Sequence, residues 1–79
     1  MAKRFELFHV IADAPSARVR SALSQSPMLD DVTLRNVAYP EAEAAWKARG
    51  GTRVPALWNG QTLVEGDDAV LAQLGLKGS

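Results

Sequence analysis

Few side chains here can make or break a bond, and the residue small proteins use most for redox work is missing. The 79 residues contain no cysteine and one histidine, His9. Disulfide staples, thiolate metal sites and thiol–disulfide exchange by the chain itself are excluded. One histidine also argues against a structural zinc site. Ser16 and Ser21 place hydroxyls near a helix start, but a serine nucleophile needs a base beside it, and His9 lies back in a strand. Ser16 is therefore expected as a solvated first-turn serine and His9 as a half-buried strand residue. The remaining candidates bind rather than react. Asp67 and Asp68 open a helix, where carboxylates suit a ligand's α-amino group and the helix N–H groups suit its carboxylate; the plainer reading of the pair is N-capping. Arg53 can pair with a ligand carboxylate or stand solvated.

These residues are positioned by elements with clear local signals. Residues 5–11 mix aromatic and β-branched side chains and read as a strand. Asp13 or Ala14 then caps a helix with Pro15 at its first helical position, where a missing N–H costs nothing. Val19, Ala22 and Leu23, with Ala17 beside them, give that helix an apolar stripe, Arg18, Arg20 and Ser24 are expected in water, and Ser26-Pro27 ends it. Residues 31–37 alternate apolar and polar and predict a second strand. Pro40, Glu41 and Glu43 suit the start of a second helix, Lys47 and Arg49 its end, and Gly50-Gly51 its stop. Residues 54–58 and 61–64 flank Asn59-Gly60, which predicts a hairpin with a type I′ turn. Gly66-Asp67-Asp68 opens a last helix carrying Ala69, Val70, Leu71 and Leu74, and Gly75 ends it.

The order βαβα followed by ββα predicts an α/β domain. Its first two strands are parallel through a right-handed crossover, its last two form an antiparallel hairpin, and three helices flank a four-stranded mixed sheet. The expected core is Leu7, Val10, Val19, Leu23, Val32, Leu34, Ala45, Leu57, Leu63, Leu71 and Leu74, with Trp46 packed on the sheet and Trp58 giving partial cover. Residues 1–79 suffice for one domain. An apolar fraction of 47% and a charged fraction of 23% are ordinary for a globular protein. Nine basic and nine acidic residues cancel, so the electrostatic footprint of a nucleic-acid binder is absent. The first residues turn polar too early for a signal peptide and no apolar run approaches membrane length, so a cytoplasmic protein with neither nucleic-acid nor membrane partners is expected.

Three landmarks in this order resemble the glutaredoxin branch of the thioredoxin-like fold. Ala14-Pro15-Ser16-Ala17 stands where glutaredoxins carry Cys-Pro-x-Cys. Thr52-Arg53-Val54-Pro55 is similar to their Thr-Val-Pro loop, whose proline is cis, and Gly66-Asp67-Asp68 to the region that holds the γ-glutamyl end of glutathione. Spacing from Asn36-Val37 through Gly66 resembles most the small glutaredoxin-like electron donors of ribonucleotide reductase. The run from Val54 to Gly60 also resembles the N-terminal domain of glutathione transferases. Each motif is common alone; their joint order along nearly the whole chain carries the resemblance. It implies the strand order 2-1-3-4, with the third strand antiparallel to the first, and a groove at Arg53, Val54, Pro55, Gly66, Asp67 and Asp68 for glutathione or an extended partner peptide. No cofactor or metal is implied. In the family, the first cysteine sits at a helix N-terminus that lowers its thiol pKa. Ala14 and Ala17 carry no sulfur, so the implied function is a redox-inactive binding module in a glutathione or cell-redox setting, with no catalytic residue assigned. The alternatives are a glutathione-transferase-like domain, or a Cys-to-Ala form, natural or engineered, of a thiol–disulfide oxidoreductase.

Overall fold

The computed structural model describes residues 3–76. Its elements are β1 (Phe5–His9), α1 (Ala14–Ser24), a short 3-10 helix (Pro27–Asp31), β2 (Val32–Asn36), α2 (Pro40–Ala48), β3 (Ala56–Trp58), β4 (Leu63–Glu65) and α3 (Asp67–Leu74). The four strands and three α-helices follow the predicted order. The 3-10 helix is an addition: Ser26 caps it, its Oγ accepting the Met28 N–H at 3.1 Å, so the Ser-Pro pair that ends α1 at once begins another turn. No helix among the described residues is long and apolar enough to cross a membrane.

The sheet order is β2-β1-β3-β4. β1 and β2 run parallel from the Phe5–Val32 pair to His9–Asn36, joined by α1, because a parallel pair needs a crossover. β3 is antiparallel to β1 and to β4. This is the expected order 2-1-3-4. Its consequence for the site is that the ends of β1 and β4 and the entry to β3 all meet at one end of the sheet.

Alternation along the strands divides the interior in two. Leu7, Val32 and Leu57 on one face pack with Val19 and Leu23 of α1 and Val70, Leu71 and Leu74 of α3. Each fully buried aliphatic side chain in this cluster contributes roughly 1.5–3 kcal/mol. On the other face Phe8 and Ala56 are fully buried, and Ala42 of α2 is buried as well. Glu6 binds this second layer together, its Oε1 accepting from Arg35 at 2.7 Å and its Oε2 from Arg49 at 2.6 Å. The Arg49 guanidinium lies 4.6 Å above the Trp58 ring, a cation–π contact that shields the end of β3.

Several packing expectations change. Leu34 is 44% exposed although its register partner Leu7 is fully buried, because Leu34 lies on the edge strand, outside the cluster formed with α1 and α3. Val10, Ala45 and Leu63 are half-buried, whereas Phe8, Ala42, Ala56 and Val70 join the buried set. The Trp46 indole lies against Gly51, where a Cβ would fall inside the ring, and its Nε1–H donates to the Arg53 carbonyl at 3.2 Å. Trp46 thus braces the loop before β3. The hairpin forms, but not with a type I′ turn: only Gly60 has positive φ, at +98°. Asn59 instead shapes the turn through its side-chain oxygen, which accepts the N–H groups of Gln61 and Thr62, each at 2.9 Å.

Candidate functional site

At the meeting end of the sheet, three backbone segments converge because each strand there turns into a helix or a loop. The antiparallel register pairs Phe8 with Ala56, so continuing it would set Val10 opposite Val54. Val10 is not free to pair. Its N–H donates to Ser16 Oγ at 3.3 Å, and its carbonyl accepts from the Asp13 N–H at 3.2 Å and from Arg20 at 3.1 Å. On the other side β4 also departs, with the Gly66 N–H donating to the Pro55 carbonyl at 2.9 Å before α3 begins. The Val54–Pro55 peptide bond is cis. Val54 is left between the two departures, and among the described residues its own N–H and carbonyl have no hydrogen-bond partner. A half-strand with one free donor and one free acceptor is what β-augmentation uses.

The start of α1 differs from expectation. Ser16 is fully buried, not solvated. Its N–H and its Oγ both donate to Asp13 Oδ2, at 2.9 and 2.8 Å, while Oγ accepts from Val10. Curling the end of β1 over the first helical turn encloses the hydroxyl, and this network satisfies it. Asp13, one of the two caps read from sequence, is the N-cap, and the Ala17 N–H donates to its carbonyl at 2.9 Å. A carboxylate therefore already occupies the positive end of α1, the place where a thiolate or a ligand anion would be stabilised. Ala14, Pro15 and Ala17 are exposed and offer shape without chemistry.

Neither arginine of α1 stands free in water. Arg18 reaches across to α3, donating to Asp67 Oδ2 at 2.8 Å and Asp68 Oδ1 at 2.7 Å. Arg18 holds the Asp67 carboxyl below the usual carboxylate range, and the two carboxylates raise the Arg18 guanidinium in return. The acidic pair is thus neither a simple cap, since Gly66 is the N-cap, nor an unclaimed receptor for an amino group. Arg20 turns back to the end of β1, donating to the carbonyls of Val10 and Ile11 and lying 3.1 Å from His9 Nδ1. A guanidinium only donates, so Nδ1 accepts and the His9 ring proton belongs on Nε2. His9 is buried, not half-buried, at 5% exposure. Burial, and then the Arg20 charge, push its imidazole below the usual histidine value.

Arg53 is exposed, and its guanidinium runs past Gly66, 3.3 Å from where a Cβ would stand. Its side chain puts a cationic group on the residue next to Val54. Glu65, absent from the sequence reading, fixes the same loop. Its Oε2 accepts the N–H groups of Thr52 and Arg53 at 2.7 and 2.9 Å, and its Oε1 accepts the Thr52 hydroxyl at 3.0 Å. The only sequence signal was a lone carboxylate closing an apolar strand run. For Glu65, burial pushes the pKa up, but bonds from Thr52 and Arg53 outweigh it and the net direction is down. Glu6 behaves alike: burial raises its pKa, and Arg49 and Arg35 more than reverse this.

These directions predict acid sensitivity. The buried His9 resists a proton that the unfolded chain accepts near the ordinary value of 6.5, so stability present above that pH declines as pH falls below it. Glu6 and Glu65 contribute stability that is present above the ordinary glutamate value of 4.5 and lost as pH falls through their lower folded values. Urea midpoints measured against pH should be level near neutrality, fall once below about 6.5 and fall again below about 4.5. His9→Asn should abolish the first fall and leave the second; a first fall that survives would show that His9 is not its source.

The site thus brings together Arg53, Val54, Pro55 and Gly66 around an unpaired segment of backbone, with Asp67 next in α3 and tied to α1 through Arg18. It presents hydrogen-bonding groups and a cation, and no nucleophile. Compared with protein-family models, with curated proteins and with solved structures, the chain finds no match.

Proposed function

We propose that this chain is a redox-inactive binding module of the thioredoxin-like, glutaredoxin-type kind, whose groove takes an extended peptide by adding it as a short strand alongside Val54. The carrying observation is the free N–H and carbonyl of Val54, stranded between two strand ends that turn into helices. The ligand chemistry is a peptide backbone with a carboxylate within reach of Arg53, which is supplied equally by glutathione or by a segment of a partner protein. With no cysteine in the chain and Asp13 filling the helix start beside Ala14, the groove holds its occupant and does not exchange thiols with it.

Calorimetric titration with glutathione and, separately, with a capped valine-rich pentapeptide separates the two sources. Saturable one-to-one binding of either, weakened by Arg53→Ala only when the occupant bears a carboxylate near that end, is the expected result. Absence of binding by both overturns the reading. Thiol–disulfide turnover by the chain as it stands would do so as well.

A further inference from the structure

We propose that Glu65 is a positioning residue: its carboxylate holds the loop so that the Val54 backbone is already aligned when an extended ligand arrives. The proposal rests on the groove reading above, and its structural half can be tested without a ligand. Two consecutive N–H groups, of Thr52 and Arg53, converge on Glu65 Oε2, and the Thr52 hydroxyl takes Oε1. Two consecutive amides bonded to one carboxylate oxygen, with the Thr52 hydroxyl on the other, fix the path of the chain up to the next residue. That next residue is Val54.

The rest of the loop is held from the opposite side. Trp46 Nε1–H donates to the Arg53 carbonyl, and the Gly66 N–H donates to the Pro55 carbonyl. Thr52, Arg53 and Pro55 are therefore each tied to another element, and of these four loop residues Val54 alone keeps its donor and acceptor free. Glu65 is placed to do this by being the last residue of β4, in register with Ala56 at the start of β3. From there a side chain of glutamate length reaches back over the loop that enters β3. Without that anchor, binding would have to order the loop itself, and affinity falls by the cost of doing so. Aspartate keeps the charge but loses a methylene of reach. Glutamine keeps the reach and an oxygen that can accept both N–H groups, with the Thr52 hydroxyl turning to accept from its amide.

The experiment compares Glu65→Ala, Glu65→Asp and Glu65→Gln by amide hydrogen exchange and by titration with glutathione and the capped pentapeptide. Alanine and aspartate should speed exchange at Thr52 and Arg53 by about tenfold or more and weaken binding by a similar factor, leaving Leu7 and Leu57 as protected as in the parent. Glutamine should stay nearer the parent than either in both readouts, its neutral oxygen giving weaker bonds than the carboxylate. Unchanged exchange at Thr52 and Arg53 in Glu65→Ala, or parental affinity in that variant, overturns the proposal. If Glu65→Ala unfolds, the aspartate–glutamine pair decides, and equal behaviour of those two overturns it. If the parent binds neither probe, the groove reading fails while exchange at Thr52 and Arg53 still decides whether Glu65 holds the loop.

Discussion

Asp13→Ala should lower the unfolding free energy by about 2–4 kcal/mol, a large share of the roughly 4–12 kcal/mol that a domain of this length possesses. Two losses add. The first is an N-cap, worth about 1 kcal/mol, because Asp13 Oδ2 is the acceptor for the Ser16 N–H. The second is the acceptor for a fully buried hydroxyl, since Ser16 Oγ donates to the same oxygen. A buried donor left without a partner costs about 1–3 kcal/mol. Asp13→Asn keeps an oxygen in place and should cost about 1 kcal/mol or less. Equilibrium urea unfolding with an unchanged slope checks both values. A loss below about 0.5 kcal/mol for Asp13→Ala would show that the Asp13–Ser16–Val10 network does not hold the start of α1.

The same carboxylate governs the second prediction. Installing Ala14→Cys with Ala17→Cys places a thiol at the first residue of α1, where a helix start ordinarily depresses its pKa. Here Asp13 already accepts the Ser16 N–H and sets a negative charge one residue away, which disfavours a second anion. The thiol that Ala14→Cys introduces should titrate at or above the ordinary thiol value of about 8.5. Adding Asp13→Asn should lower it by about one unit or more, since the helix end then faces the thiolate without a competing charge. Thiolate absorbance followed against pH measures both. An introduced thiol that ionises well below pH ~7 with Asp13 in place would contradict this and favour a simple Cys-to-Ala form of a working oxidoreductase.

Much of the frame was legible because its signals are local. Pro15, Pro40 and Gly75 sit where the helices begin and end, and Asn59-Gly60 marks the hairpin, whereas the strand order 2-1-3-4 was legible only through the glutaredoxin resemblance. Legibility failed wherever a residue's state depends on something distant in sequence. Arg18 finds its carboxylates 49 and 50 residues away, and Glu65 finds its donors 12 and 13 away. Nothing in local spacing announces either. Ser16 is a different case: a first-turn serine is solvated by default, and here the end of β1 encloses it. Leu34 illustrates the converse, since alternation assigns a side chain to a face but cannot say whether that part of the face is covered. The landmarks Ala14-Pro15, Val54-Pro55 and Gly66-Asp67 were read from sequence, with Asp13 among the cap candidates, but the Asp13–Ser16–Val10 network and the Arg18 bridge to Asp67 came from tertiary structure.

The proposed function requires an extended peptide to pair with Val54. The measurement that meets it most directly is backbone amide shift mapping of the intact chain during titration with the capped pentapeptide. Saturable shifts are expected, largest at Val54 and its neighbours Arg53, Gly66 and Asp67, the Trp46 indole N–H moving with them because it is bonded to the Arg53 carbonyl. Saturable shifts centred elsewhere, on the β2 edge around Leu34 for example, with Val54 and Gly66 unmoved, would contradict it.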